Sequence, residues 1–320
     1  MTVWSGFPRR VPTAVAREER IVSFSIGDGV SLSALANWQS EPTTKPTVLI
    51  VHGLTGDARC GYSYGLAEKA LAKGMNAVRL NLRGCGDNEE TNAEIYHAGV
   101  SPDLRHVLEN LKADGHREIY VVGMSLGGNV ALKLAGELGD TASDLMRGVV
   151  AISPPIDLAA SCDSLRSGGM NALYQYFFLR NLRRRVRLKH QFHPDRIPVE
   201  DIDEARTLWD FDDVFTSRLA GFGNADNYYA QASSLPLLGA IRLPTLLIHS
   251  RDDTFVPFAS FETPLIHENP NLTLLATDAG GHGGFIGRKP SKTLSRSDSD
   301  GFWAENRALQ FFESIAARAS

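Results

Sequence analysis

The sequence has few of the residues that sulfur-based structures require. Its 320 residues include three cysteines, Cys60, Cys85 and Cys162, which are widely separated and form no Cys-x-x-Cys pair. An odd number of dispersed cysteines indicates neither a disulfide framework nor a thiolate zinc site. We therefore expect a reducing compartment, and we predict no metal ion and no other cofactor.

Long hydrophobic runs are absent as well. No stretch approaches the roughly 20 apolar residues of a membrane-spanning helix. The first twenty or so residues read as a loosely attached arm that is rich in arginine and glutamate and has no apolar centre of signal-peptide length. We therefore expect a cytoplasmic protein without a transmembrane segment.

Neither sign of charge is in strong excess. The net charge is −4, and the fractions of hydrophobic (43%) and charged (22%) residues are ordinary for a globular protein. This balance argues against a general nucleic-acid binder, so we predict no nucleic-acid partner. It does not indicate an oligomeric state. The length suits one large α/β domain with an insertion, or two domains.

Strand and helix patterns alternate along most of the chain. Two strands at 21–26 and 30–38 flank a turn with hairpin chemistry. Short apolar runs then predict strands at 47–51, 77–82, 118–122, 147–152, 244–249 and 272–277. Helical spacing falls between them and at the end of the chain, at 64–73, 101–113, 129–138 and 302–318. This alternation predicts an α/β fold with a mostly parallel sheet that helices cover on both faces.

The alternation stops at Pro154-Pro155 and resumes near residue 239. The block between has no obvious buried strand; it has an arginine-rich helical stretch at 173–189 and a loop-like region through Trp209 and Phe222. We predict a core domain formed by residues 1–155 and 239–320, with a mainly helical cap, or lid, inserted at 156–238. A serine-rich stretch at 291–300 is predicted to be a surface loop.

The most informative motif is a Gly-x-Ser-x-Gly pentapeptide, which runs from Gly123 to Gly127 around Ser125. The pentapeptide alone occurs often by chance. Here it lies between a predicted buried strand and a predicted helix, where a tight turn presents a serine hydroxyl beside the positive end of the helix. We therefore predict that Ser125 is a catalytic nucleophile.

A serine nucleophile needs a base and a group that orients the base, and both types follow later strands. Asp252 and Asp253 come directly after the strand at 244–249. We favour Asp253 because its spacing to the following Val-Pro is common in such enzymes, with Asp252 as the alternative. His282 follows the last strand within four glycines, in a loop that can bring its imidazole to Ser125. The chain order serine, aspartate, histidine is that of α/β-hydrolases.

An oxyanion requires two backbone N–H donors. We predict that Leu126, directly after the nucleophile, supplies one and that Leu54 supplies the other. Leu54 lies in the sequence His52-Gly53-Leu54-Thr55-Gly56, which follows the first predicted parallel strand. His52 could act as a second base, but one base suffices, so we interpret it as a structural residue.

Together these motifs resemble the bacterial YheT-type and eukaryotic ABHD1/2/3-type branch of the α/β-hydrolases. The resemblance spans about residues 20 to 318. It is carried by short motifs of the core and of the insertion: His52–Gly56, Asn81–Cys85, Tyr96–Gly99, the serine turn with Asn129, Asp252-Asp253, Gly280–Phe285, Phe211-Asp212, Gly221-Phe222 and Tyr228-Tyr229. It implies an α/β-hydrolase fold and a Ser-His-Asp carboxylic ester hydrolase for short- to medium-chain or lipid-like esters. One departure is Asp253-Thr254, where Asp-Pro is more usual.

Two alternatives remain for the function. A thioesterase, an acyltransferase or an amidase can use the same triad. A non-catalytic binding protein on a hydrolase scaffold would be expected to lack a member of the triad, whereas all three are present. We predict a small-molecule ester as the substrate.

Aromatic and basic residues of the insertion give weaker signals. Tyr228, Tyr229 and Phe177 could line an acyl pocket, although aromatic residues in an insertion equally often form its own core. Six basic residues between 180 and 189 alternate with apolar positions at helical spacing. They favour a cap helix with one packed and one solvated face, or else a weak contact with a membrane surface.

Overall fold

The computed structural model describes residues 14–27, 29–88, 94–287, 298 and 300–319. Most of the predicted N-terminal arm and nearly all of the predicted serine-rich loop lie outside the described residues. Among the residues that are described, no helix combines the length and the apolar character needed to cross a bilayer.

Eight strands form one sheet. Their bounds are β1 (Arg20–Ser25), β2 (Ser31–Asn37), β3 (Thr47–Val51), β4 (Asn76–Leu80), β5 (Ile119–Met124), β6 (Gly148–Ile152), β7 (Thr245–Ser250) and β8 (Leu272–Thr277). The spatial order is β1-β2-β4-β3-β5-β6-β7-β8. β1 pairs antiparallel with β2, and β2 pairs antiparallel with β4, while every other pairing is parallel. The prediction of a mostly parallel sheet is confirmed.

Helices connect the strands and cover the sheet. Their bounds are α1 (Ala14–Glu18), α2 (Gly61–Ala72), α3 (Ser101–Ala113), α4 (Leu126–Leu138), α5 (Ala142–Leu145), α6 (Leu158–Arg166), α7 (Met170–Phe192), α8 (Leu208–Phe211), α9 (Ser217–Leu219), α10 (Ala225–Ala232), α11 (Pro264–His267) and α12 (Trp303–Ala319). A π-helical turn, Asp212–Thr216, joins α8 to α9.

Helices cover both faces of the sheet, and the side chains of each strand alternate between these two faces. Side chains on both faces are therefore buried. Val48 and Ile50 of β3 join the core on the face that α2 and α12 cover. Leu49 and Val51 join the core on the opposite face, together with apolar side chains of α3 and α4. All residues of β3 and β4 are buried, including the polar Asn76 and Arg79 of β4.

The parallel strands bring their carboxyl ends to one edge of the sheet. The loops that carry the predicted site follow β3, β5, β7 and β8 and therefore meet at this edge. The helices α6 to α10 lie between β6 and β7, and residues 156–238 contribute no strand to the sheet. The region predicted as loop-like within this segment instead contains α8, the π turn and α9, because local side-chain caps such as Thr207 support short helices.

Asn129 connects α4 to the helical segment between β6 and β7. Its amide group donates hydrogen bonds to the carbonyl oxygens of Ala98 (3.2 Å) and Ala232 (2.8 Å). Its carbonyl oxygen accepts a hydrogen bond from the Ser234 N–H at 2.9 Å. A fully buried side chain thus satisfies three backbone groups, one before α3 and two at the end of α10.

We expect Asn129→Ala to lower the free energy of unfolding by about 2–4 kcal/mol, because it leaves buried backbone groups without partners. Urea denaturation measures this loss. The control is Glu137→Ala on the same helix, which removes a half-exposed ion pair with Lys133 and is expected to cost less than about 1 kcal/mol. Equal losses in the two variants would contradict this role of Asn129.

Candidate active site

Ser125 lies on a sharp turn between β5 and α4. Its backbone is in the left-handed region (φ 52°, ψ −121°), and its N–H donates to the Ile152 carbonyl oxygen at 2.8 Å. A Cβ atom at Gly123 would lie 2.3 Å from the Gly127 oxygen, and one at Gly127 would lie 2.4 Å from the Val51 oxygen. The two glycines of the pentapeptide are therefore required by the close approach of backbone to backbone.

Ser125, His282 and Asp253 form one chain of hydrogen bonds. The Ser125 Oγ lies 2.8 Å from His282 Nε2, and His282 Nδ1 lies 2.8 Å from Asp253 Oδ2. The other Asp253 oxygen accepts from the N–H groups of Phe255 (2.8 Å) and Val256 (3.2 Å). Burial favours a raised pKa for Asp253, but attraction to His282 and these hydrogen bonds outweigh it, so its pKa lies below the ordinary value. The carboxylate is thus held charged beside the imidazole.

Asp252 has different partners. Its Oδ1 accepts hydrogen bonds from the N–H groups of Gly280 (2.9 Å) and Gly281 (2.7 Å), directly before His282. The structure therefore places Asp253 against the imidazole and Asp252 against the loop that carries the imidazole.

Leu54 and Leu126 lie beside Ser125 in the wall of the same cavity. Leu126 is the first residue of α4. Its N–H therefore has no acceptor within the helix, as for the first residues of every α-helix. The positive end of the helix dipole lies at the same place, which favours a negative charge there.

Two tyrosine hydroxyls fix the loop around Leu54. The Gly53 N–H donates to the Tyr62 hydroxyl at 3.0 Å, and the Thr55 N–H donates to the Tyr96 hydroxyl at 2.5 Å. The N–H groups on both sides of Leu54 are thereby engaged. Tyr62 was not predicted from the sequence, since it lies nine residues away and only folding brings it to the loop.

Arg185 of α7 also binds the loop around Leu54. Its Nη2 donates to the carbonyl oxygens of Thr55 (3.0 Å) and Gly56 (2.9 Å), and its Nη1 contacts the Cys85 sulfur at 2.8 Å. Its guanidinium also lies over the Tyr96 ring, 5.9 Å from the centroid. From the sequence, Arg185 was not distinguished from the other basic residues between 180 and 189. The one signal for its position near the core was the adjacent apolar residue Val186.

His52 is held by backbone groups. Its Nε2 accepts from the Leu82 N–H at 3.2 Å, so its Nδ1 carries the proton and donates to the Gly53 carbonyl oxygen at 2.8 Å. Burial lowers its pKa to about 4. The structure thus places His52 as a support of the loop and not against Ser125.

An apolar cavity of about 120 Å³ adjoins Ser125 and His282. Tyr228 and Tyr229 line it, as do many aliphatic side chains of the helical segment. Phe177 does not line it, which corrects the prediction: its side chain is 39% exposed, while the neighbouring Phe178 is buried in the cavity wall. Consecutive residues of a helix point about 100° apart, so both cannot face the cavity.

In the described part of the chain, no three His, Cys, Asp or Glu side chains cluster closely enough to hold a metal ion. The thiol of Cys85 is no substitute nucleophile, because burial raises its pKa to about 12 even though Arg185 lowers it.

The open parallel sheet and the strand-turn-helix element around Ser125 define an α/β-hydrolase fold. A family model described as the alpha/beta hydrolase fold matches residues 46–288, and the chain belongs to this family.

Known proteins that are similar to the chain lie in the predicted branch of that family. The Escherichia coli protein YheT, named as a candidate esterase, is 34% identical over 268 residues, which are 82% of this chain and 76% of that protein. Human phospholipase ABHD3 is 26% identical over 290 residues, 89% of this chain and 70% of that protein. Among solved structures, the Pyrococcus furiosus esterase Pf2001 superposes with a TM-score of 0.61 at 20% identity, over 96% of this chain and 95% of that one.

The different partners of the two adjacent aspartates generate a prediction. We expect Asp253→Asn to lower kcat for a p-nitrophenyl ester by roughly 10³–10⁴-fold, because the amide no longer stabilises the imidazolium or its tautomer. Asp252→Asn keeps an acceptor oxygen for the Gly280 and Gly281 amides, so we expect a loss of about tenfold or less. Steady-state kinetics of both variants test this, and a larger loss in Asp252→Asn would reverse the assignment.

Proposed function

We propose that the protein is a serine carboxylic ester hydrolase. The observation that carries the proposal is the hydrogen-bonded chain from Ser125 through His282 to Asp253, with both distances at 2.8 Å. The esterase and phospholipase names of its relatives support the same reaction class.

In the proposed mechanism, His282 Nε2 removes the hydroxyl proton of Ser125 as the Oγ attacks the ester carbonyl carbon. The resulting oxyanion accepts hydrogen bonds from the N–H groups of Leu54 and Leu126. The tetrahedral intermediate collapses, the bond to the alkoxide breaks, and His282 donates its proton to the leaving alcohol. Water then repeats the sequence on the acyl-enzyme, which releases the acid and restores Ser125.

The cavity supports esters with an apolar acyl or alcohol part. Its wall is mostly aliphatic and aromatic, which favours short- to medium-chain or lipid-like substrates. We propose that residues 156–238 act as the cap that shapes this cavity. Leu165, Phe178, Leu182, Tyr228 and Tyr229 of that segment contribute to its wall.

One face of α7 supports the proposed contact with a membrane surface. Four large apolar side chains on its first half are exposed, namely Met170 (61%), Leu173 (60%), Tyr176 (61%) and Phe177 (39%). Arg180 and Arg184 continue along this side of the helix, are exposed, and form no ion pair within the described part of the chain. We call these six residues the outer face of α7. Apolar groups followed by unpaired cations suit an anionic lipid surface.

The other basic residues of α7 do not belong to this face. Arg183 donates to the Ala205 carbonyl oxygen at 2.5 Å, and Arg187 pairs with Asp203. Arg185 binds the loop around Leu54, and Lys189 is buried. The six basic residues between 180 and 189 therefore do not share one surface. Arg180 and Arg184 lie on the outer face of α7, and the other four contact the rest of the protein.

We expect Ser125→Ala to reduce p-nitrophenyl ester turnover by at least about a thousandfold without unfolding the protein, because the nucleophile is removed. Labelling with a fluorophosphonate should disappear at the same time. The matched control is Ser153→Ala: this serine follows the next strand, also has a positive φ, and has a buried hydroxyl without a partner. The control should be labelled and active. Retained turnover in Ser125→Ala would contradict the proposed function.

We expect the protein to co-sediment with vesicles that contain phosphatidylglycerol and not with phosphatidylcholine vesicles, and added salt should weaken the binding. Arg180→Ala/Arg184→Ala should weaken it by roughly tenfold or more, since each arginine near an anionic surface contributes about 1 kcal/mol. Arg105→Ala/Arg117→Ala, which removes two exposed arginines elsewhere, serves as the control. Equal binding by both double variants would contradict the role of the outer face of α7.

A further inference from the structure

Asp212 is the one carboxylate among the described residues that line the cavity. It begins the π turn, Asp212–Thr216, a geometry that often occurs at functional sites. Its Oδ2 accepts a hydrogen bond from the Tyr229 hydroxyl at 2.8 Å, and the Thr216 side chain is a second hydrogen-bond partner. Asp212 therefore forms a polar position, with a fixed orientation, in an otherwise apolar wall.

Asp212 has no cationic partner within the described part of the chain. The two aspartates with the lowest exposure differ in this respect, since Asp103 is paired with Arg83 at 2.6 Å and Asp253 with His282. Burial raises the pKa of Asp212 to about 6, although hydrogen bonds from Thr216 and Tyr229 lower it. A carboxylate that is desolvated without a countercharge is costly, and it leaves acceptor capacity for another group.

The chemistry of Asp212 limits what it can bind. An ionised carboxylate only accepts hydrogen bonds, so the complementary ligand group must be a donor. The rings of Tyr228 and Tyr229, which are 5.2 Å apart and lie in the same wall, surround this position with aromatic surface. A hydroxyl or an ammonium group on an otherwise apolar chain fits this combination.

We propose that Asp212 is a specificity-determining residue that binds a hydrogen-bond donor, a hydroxyl or an ammonium group, on the part of the ester substrate remote from the scissile bond. The inference rests on the proposed ester hydrolysis. It gives the cavity two functional ends: Ser125 cleaves the ester, and Asp212 selects chains that carry a polar group at a matching distance.

The test compares esters that differ only at the far end of the acyl chain. A series of p-nitrophenyl ω-hydroxyalkanoates is measured against n-alkanoates of equal heavy-atom count, and ω-ammonioalkanoates form a third arm that distinguishes the two donor types. In the wild type, kcat/KM should favour the hydroxyl or the ammonium ester by roughly tenfold at the chain length that reaches Asp212. Asp212→Asn should abolish most of that preference, because the amide keeps one acceptor oxygen, which the Tyr229 hydroxyl uses, and its nitrogen only donates. The ratio of two esters within one variant removes any general loss of activity.

The matched control is Asp213→Asn, at a neighbouring carboxylate that accepts from the Ala225 N–H and does not line the cavity. This variant should keep the preference of the wild type. The proposal is overturned if the wild type shows no preference at any chain length, or if Asp212→Asn lowers both rates equally, as a structural tie to Tyr229 would.

Binding provides a readout that does not depend on turnover or on the variant's folding. Calorimetric titration of the wild type with an α,ω-diol and with the n-alkanol of equal heavy-atom count should show roughly tenfold tighter binding of the diol at one length. Equal affinities at every length would overturn the inference. A wild type that binds the diol more tightly but hydrolyses no ester would instead contradict the proposed function alone.

Discussion

The left-handed backbone at Ser125 is the constraint on which the site depends. A non-glycine residue in such a conformation costs about 1–3 kcal/mol and persists only where the surroundings fix it. Here the Ser125 N–H is bound to Ile152 of the neighbouring strand, and its carbonyl oxygen accepts from Gly128 and Asn129 of the helix. The sheet and α4 therefore hold the serine in place before any substrate arrives. The stability of the parallel sheet is what maintains this strain.

The helical segment between β6 and β7 is bound to the loops that carry Leu54 and Asp253. Arg185 binds the loop around Leu54, and Asn171 donates to the Thr254 carbonyl oxygen, beside Asp253, at 2.8 Å. Phe178 packs against Phe255 with ring centroids 5.7 Å apart. The same helix α7 thus supports both the loop of Leu54 and the loop of Asp253. A change in its position would alter the cavity and the catalytic geometry together.

Local chemistry could be predicted from the sequence, whereas neighbouring side chains were harder to tell apart: the spacing to Val-Pro favoured Asp253, but Phe177 was chosen where Phe178 lines the cavity. The alternation of strands and helices and the glycines of the serine turn depend on residues that are close together in the sequence. The fold and the loops of the site could therefore be predicted from them. Asp252 and Asp253 are chemically identical, and only the packed loops give one of them the imidazole. The prediction that Phe177 lines the pocket was wrong. The packed face of α7 contains Phe178, Leu182 and Val186, and Phe177 lies outside it. Arg185 needed the tertiary structure, because its acceptors lie about 130 residues away.

Three of the histidines near the site, His52, His249 and His282, show how burial separates supporting residues from the proposed general base. His52 and His249 each use a ring nitrogen on a backbone carbonyl, and burial lowers the pKa of each to about 4. Both therefore remain neutral at physiological pH, where a general base must exchange protons. His249 Nδ1 lies 3.8 Å from Asp253 Oδ2, so a protonated His249 would compete with His282 for that carboxylate. Because His249 stays neutral, the full charge of Asp253 acts on the one imidazole that contacts Ser125.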